Sequence, residues 1–325
     1  MPKKPIRLGV VMDPIESIYP PKDSTLAMLL EAQRRGWEIH YMRQRDLYVD
    51  SGRPLAHSQR LVVCDDTERW FDLTGPGETQ IGSLDVILMR KVPPFDMEYI
   101  YTTYLLQRAE EAGTLVVNRT DSLRDVSEKA YTMWFADCCP PTLITRSIAE
   151  MRRFLSEHGH IVVKPLDGMG GRSIFVVRHD DPNVGVILET ITAHDTRFAM
   201  AQRFIPEIRE TGDKRILLFN GEPFPHALAR IPAEGESRGN LAVGAQGEGR
   251  ELSERDRWIC ERVGPVLREK GILFAGLDVI GDFLTEINVT SPTGIRELDR
   301  MYGENLAGRL FDAIESTLET RVARQ

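Results

Sequence analysis

The sequence predicts a protein of mixed class, α/β in its first third and α+β thereafter, and three observations carry that expectation. Up to about residue 122, short apolar runs alternate with segments of helical apolar spacing, the pattern of an open parallel sheet covered by helices. Beyond it the apolar runs come in pairs, as the strands of hairpins do. The chain has 325 residues, 42% of them apolar and 28% charged, enough for two or three domains with a large buried core.

Taken in order, IRLGVVM (Ile6–Met12) reads as a buried strand. STLAMLLEAQRRG then reads as a helix, with Leu26, Leu29, Leu30 and Gln33 on one face, Ser24 as N-cap and Gly36 just past the end. WEIHYM, DVILMRK and TLVVN continue the strands, and EYIYTTYLLQRAEEAG supplies a second helix. Open parallel sheets bind ligands at the carboxyl ends of their strands, which here carry Met12-Asp13-Pro14 and Arg90-Lys91. A helix over Ser122–Ala136 leads to the second part. There HIVVKPL pairs with SIFVVR, DKRILLFNGEPFPHALARI bends at Asn220 and Gly221, and LFAGLDVIGDFLTEINV bends near Gly281. Helices around 149–158, 184–193, 253–270 and 304–321 would cover these sheets. One stretch, Pro232–Arg250, has loop composition with five glycines, and a loop of that length in a compact domain is a lid or is disordered.

The formal charge of −8 argues against non-specific nucleic-acid or anionic-membrane binding, both of which need a basic face. Four cysteines without C-x-x-C spacing fit a reducing compartment. The apolar run after the basic N-terminus stops at Asp13 and Pro14, too short for a secretion signal, so the expected location is the cytoplasm. No run approaches the ~20 apolar residues that span a bilayer. GESRG at 235–239 matches a nucleophile elbow only in letters, because glycine-rich loop rather than strand and helix flanks it.

VVKPLDGMGGRSIF places Lys164 at the end of a strand and Gly168, Gly170 and Gly171 in a hairpin loop. Neither a Walker loop nor a dinucleotide fingerprint fits, since no helix follows and the chain contains no Gly-Lys dipeptide. Such a loop suits phosphate, through bare amides and a nearby ammonium; taken alone it suits a ligand-free glycine hairpin equally well. Asp278, Glu286 and Asn288 offer hard oxygen ligands of the kind Mg²⁺ shares with phosphates, among residues that read as core. Glu286 and Asn288 share a strand face. A plain two-residue turn would put Asp278 opposite Thr285 and on the other face, whereas a three-residue or bulged hairpin would pair Asp278 with Glu286, and the second is expected. Lys129, Lys164, Arg215 and Arg230 sit in or beside apolar segments, and together they suggest a nucleoside triphosphate site.

These residues in this order resemble the ATP-grasp superfamily and, within it, the bacterial glutathione synthetase family. VVMDP, AMLLEAQRRG, ILMRK, PPFD, SLRD, KPLDGMGG, LARIP, SRGNLA and LTEINVTSPTGIRE carry the likeness over nearly the whole chain, the termini excepted. The resemblance implies an N-terminal Rossmann-like α/β substrate domain over 1–122 and a two-lobed ATP-grasp fold over 123–205 and 206–325. It implies an ATP-dependent ligase that joins γ-glutamylcysteine to glycine through an acyl phosphate, using Mg²⁺ or Mn²⁺, as a homotetramer. Lys129, Lys164, Gly168, Gly170, Gly171, Gln202, Phe204, Ile205 and Asp213 would bind ATP, and Asp278, Glu286 and Asn288 the metal. Arg215, Arg230 and Arg238 would be catalytic. Asp13, Arg90, Asn240, Ser291, Thr293 and Arg296 would bind substrate, with Arg238 and Asn240 reaching it from the 232–250 lid. A neighbouring ligase that joins D-alanines or adds glutamates to a protein terminus would share the ATP half and differ in MDP, RK and SPTGIRE. A non-catalytic ATP-binding module would not need Arg215, Arg230, Glu286 and Asn288 together.

Overall fold

The structure, a computed structural model, describes residues 4–168, 170–233 and 246–323. The first sheet is built from β1 (Arg7–Met12), β2 (Glu38–Met42), β3 (Leu47–Asp50), β4 (Arg53–Val63), β5 (Phe71–Gln80), β6 (Val86–Arg90) and β7 (Leu115–Val117), with helix α1 (Ser24–Arg34) after β1 and α2 (Met97–Glu111) after β6. Its order is β3-β4-β2-β1-β6-β7, with β5 on β4. β2, β1, β6 and β7 are parallel. β1 is apolar on both faces because helices cover both: Leu8 and Val10 join one core cluster and Val11 the other.

The wholly parallel sheet expected for this part is corrected by β3, β4 and β5, which add antiparallel. β5 contains Gly75-Pro76-Gly77, a sequence that reads as a turn and that an outer strand tolerates because one edge needs no partner. Asp23, not Ser24, caps α1 by accepting from the Leu26 amide, which leaves the Ser24 hydroxyl to accept from the Ile295 amide.

The single helix expected over Ser122–Ala136 is two pieces, α3 (Thr120–Asp125) and a 3-10 helix over Ala130–Cys138 that is broken at Phe135. The interruption has a cause: the Glu128 carbonyl accepts from the Ile287 amide at 2.8 Å, outside any helix ladder. The middle sheet comprises β8 (Thr142–Thr145), β9 (His160–Pro165), β10 (Phe175–Arg178) and β11 (Ala199–Arg203), antiparallel in the order β10-β9-β11-β8. With α4 (Ile148–His158) and α5 (Val184–Thr192) it encloses its own apolar cluster around Phe154, Ile161, Val163 and Leu188.

After the short α6 (Ile208–Thr211), the third sheet holds β12 (Asp213–Phe219), β13 (Glu222–Pro223), β14 (His226–Ile231), β15 (Gln246–Glu251), β16 (Phe274–Ile280) and β17 (Phe283–Asn288). Its order is β15-β14-β12-β16-β17, with β13 on β12. Three helices complete it: α7 (Glu254–Glu269), α8 (Ile295–Tyr302) and α9 (Leu306–Val322). The expected 232–250 loop is corrected at its far end, where Gln246–Arg250 pair with β14; residues 234–245, with Arg238 and Asn240, lie outside the described residues. Both large core clusters cross between the first and third sheets: Val11 and Met89 share one with Leu277 and Val279, and Leu8 and Val10 share the other with Phe274 and Phe311.

The β16–β17 hairpin has a two-residue turn, Ile280 opposite Phe283, followed by a bulge between Asp278 and Val279 that restores Asp278 opposite Glu286. The bulged alternative is the one the chain adopts, and Thr285 is the extra residue.

Candidate active site

A cavity of about 600 Å³ opens between the middle and third sheets. One end is an apolar slot, walled by Val162 and Val176 of the middle sheet, by Phe204 and Ile205 just after β11, and by Ile280 of β16. The other end is charged. Glycine is required in the hairpin that closes it: Gly170 and Gly171 have φ of 65° and 76°, and a Cβ on Gly168 would lie 2.7 Å from Pro165 Cγ.

Lys129, Lys164, Arg215 and Arg230 all line the cavity although each is at least nine-tenths buried. Lys129 donates to the Gly168 carbonyl at 2.5 Å and stands 3.4 Å from Glu286. Lys164 donates to the Thr285 carbonyl at 3.2 Å and stands 3.7 Å from the same carboxylate. Burial, reinforced by Lys129, pushes Lys164 below the ordinary lysine range, with Glu286 opposing. Arg215 grips Asp278 with two hydrogen bonds, 2.5 and 2.8 Å, and Arg230 bridges Asp278 at 3.0 Å and Asp213 at 2.5 Å. Burial alone would raise Asp278, but the two guanidiniums outweigh it and hold the carboxyl well below the usual range. Asp213 goes the other way: burial and then the neighbouring Asp278 push it up to about 7 against the pull of Arg230.

A divalent cation fits this donor set. Asn288 donates its amide to the Gly276 carbonyl at 3.2 Å, and its own carbonyl oxygen accepts no hydrogen bond among the described residues. Glu286 meets the lysines through charge, and Asp213 Oδ1 is buried without a hydrogen-bond partner among the described residues. No group of three or more His, Cys, Asp and Glu side chains suited to a metal occurs among the described residues. Asp278 and Glu286, paired across the hairpin, and the Asn288 amide would therefore need oxygens from a bound ligand to complete a shell, as phosphates provide.

The cavity thus brings together Lys129, Lys164, Gly168, Gly170, Gly171, Gln202, Phe204, Ile205, Asp213, Arg215, Arg230, Asp278, Glu286, Asn288, Ser291 and Thr293. Gln202 spends its amide on Thr142 Oγ1 at 3.0 Å. Three expected residues do not line it. Asp13 pairs with Lys91 at 3.0 Å. Arg90 is buried beneath the floor, donating to Thr25 Oγ1 and the Pro292 carbonyl. Arg296 pairs with Asp65 beside a second cavity between α1 and α8. The structure adds Tyr19, Lys22, Glu128, Thr290 and Glu297 to the lining. No local sequence signal marks them, because they come from loops and helix ends far apart in the chain.

No helix among the described residues is long and apolar enough to cross a membrane. Residues 6–124 match the family model of the prokaryotic glutathione synthetase N-terminal domain, and residues 128–303 that of the prokaryotic glutathione synthetase ATP-grasp domain. A glutathione synthetase of Pseudomonas syringae is 58% identical over 316 residues, and one of Escherichia coli 56% over 314. Each alignment covers 97% of this chain and 99% of the relative. Among solved structures, a D-cycloserine synthetase superposes with a TM-score of 0.67 at 17% identity, covering 96% of this chain and 99% of the other. D-alanyl-alanine synthetase A of Vibrio cholerae gives 0.61 at 11%, covering 97% and 99%; both likenesses concern the fold. ATP-grasp ligases use ATP and divalent metal ions. Matched from residue 6 to residue 303 by its two domain models and along nearly its whole length by relatives of one name, this chain belongs to the prokaryotic glutathione synthetases, ATP-dependent ligases that use small-molecule substrates.

Proposed function

We propose that this cavity is where the family's ligation takes place: the γ-phosphoryl of ATP passes to the glycyl-accepting carboxylate of γ-glutamylcysteine, and the amine of glycine then displaces phosphate to leave glutathione. The observation that carries the reading is the convergence of four buried cations on one end of a cavity whose other end is apolar. The slot at Val162, Val176, Phe204 and Ile205 suits a flat purine, and Lys129 and Lys164, which line the same cavity, would hold the phosphates. Gly168, Gly170 and Gly171 let the hairpin backbone approach those phosphates closely.

Arg215 and Arg230 are oriented before substrate arrives, by Asp278 and Asp213. Fixed donors of this kind stabilise charge that grows on a transferring phosphoryl group without reorganising during the step. Glu286, Asn288 and Asp278 would hold Mg²⁺, with Mn²⁺ as the alternative. When bound, the ion offsets charge on the phosphate oxygens. Ser291, which donates to the Arg90 carbonyl of the first sheet, and Thr293 line the same cavity and would bind the acceptor peptide. The family resemblance extends the proposal to a homotetramer working in the cytoplasm, which sedimentation and cell fractionation test.

The decisive experiment is ADP release measured against acceptors. Steady turnover is expected only with γ-glutamylcysteine and glycine together. Equal release with D-alanine alone would overturn the assignment.

A further inference from the structure

β17 carries Glu286 and Asn288, and it is the outermost strand of the third sheet. One of its edges therefore has no strand partner among the described residues, and backbone groups along that edge must be satisfied some other way. The structure shows what does it. The Thr285 carbonyl accepts from Lys164, the Ile287 amide donates to the Glu128 carbonyl at 2.8 Å, and the Val289 amide donates to Glu128 Oε1 at 3.1 Å. The same Oε1 also accepts from the Thr290 amide at 3.1 Å and the Thr290 hydroxyl at 2.8 Å. Glu128 thus stands in for a missing strand at Ile287, near the end of β17, and at Val289 and Thr290 just past it. It is separated from that strand by about 160 residues of chain, as the spacing of 161 and 162 positions in these bonds records. Its chain neighbour Lys129 meanwhile binds the Gly168 carbonyl of the glycine hairpin.

We propose that Glu128 is a positioning residue for the metal end of the cavity: through these bonds it fixes where Asn288 and the following Thr290–Thr293 segment sit relative to Glu286. The inference rests on the metal reading above. It also accounts for the break between α3 and the 3-10 helix, since a continuous helix would turn the Glu128 carbonyl into the helix ladder and away from β17.

A positioning role depends on the length of the side chain more than on its charge. Glu128→Gln keeps the acceptor oxygen at the same reach, whereas Glu128→Asp keeps the charge and draws the carboxylate back by about 1.5 Å, one carbon–carbon bond. Mn²⁺ binding to the full chain with a non-hydrolysable ATP analogue, read by electron paramagnetic resonance, is compared across wild type, Glu128→Gln, Glu128→Asp and Glu128→Ala. Loss of an outer partner of a metal site commonly costs about 10- to 100-fold in affinity. The expected order is therefore Gln within about threefold of wild type, and Asp and Ala both weaker by about tenfold or more, with analogue affinity changing much less. If Asp binds Mn²⁺ better than Gln, charge rather than reach matters and the proposal is overturned. It is equally overturned if all three variants bind as wild type does while only their melting temperatures fall. Failure of the wild type itself to bind Mn²⁺ would instead remove the metal reading on which this rests.

Discussion

Asp278→Asn changes one charge in the cavity and almost no volume. Above pH 7, where Asp213 is ionised as well, Arg215 and Arg230 face Asp278 and Asp213, two positive groups against two negative ones, all four buried or nearly so, and the comparison is made at pH 8. The variant leaves one guanidinium without a counter-charge and turns an amide N–H toward an arginine donor. Removing one partner of a buried ion pair costs about 3–5 kcal/mol, and the two-toothed grip at 2.5 and 2.8 Å, with a third bond at 3.0 Å from Arg230, argues for that range. At roughly 2 °C per kcal/mol for a chain of this size, the ligand-free protein should melt about 6–10 °C lower. Arg215→Met should cost a similar amount. The double variant restores the balance, since Arg230 keeps Asp213 at 2.5 Å. Its loss should therefore fall short of the sum by about 2 kcal/mol, a coupling typical of residues in one network. Thermal unfolding followed by circular dichroism on the four proteins closes the cycle. A single-variant loss under about 1 kcal/mol, or additivity within about 0.5 kcal/mol, would refute the charge-balance argument.

Two further tests use the same cavity. Glu286→Gln should raise the Mg²⁺ concentration for half-maximal activity about tenfold or more, because a charged ligand becomes neutral. Its melting temperature should fall by only about 2 °C, since the contacts of 3.4 and 3.7 Å to the lysines are not hydrogen bonds; the reverse pattern would make Glu286 structural. Asp213, raised from 3.8 to about 7, contributes stability that is present below pH 3.8 and lost as the pH rises through 7. Asp213→Asn should therefore flatten the pH dependence of melting across that window, and an unchanged slope would assign it to other groups.

Much of this arrangement is legible before any coordinates. Alternation along a strand puts Glu286 and Asn288 on one face, and the choice of a bulged hairpin follows from asking which register lets Asp278 join them. The β9–β10 hairpin follows from two apolar runs around glycines. What escapes is set by distance or by misleading local chemistry. Gly75-Pro76-Gly77 spells a turn and is an edge strand. Pro292 and Gly294 conceal α8, which starts at Ile295 immediately after a glycine with φ of 117°. Glu128 reads as an ordinary helix residue, since its partners lie at Ile287, Val289 and Thr290. Arg90 ends a strand as a ligand-binding residue would, yet it donates to Thr25 and Pro292 beneath the floor.

The separation of the apolar clusters bears on how the chain matures during synthesis. The middle sheet with α4 and α5 contains every member of its own cluster between Leu143 and Ala201, so it can collapse as soon as that segment leaves the ribosome. The first sheet cannot finish. Val11, Ile87 and Val116 pack in a cluster that includes Leu277, Leu284 and Ile287, residues made more than 150 positions after β7 ends. At about 5–20 residues per second, the face of the first sheet meant for those partners waits on the order of 10–30 s for them. An unfinished apolar face on a nascent chain is a surface for chaperones or for aggregation, and here it belongs to the segment translated first.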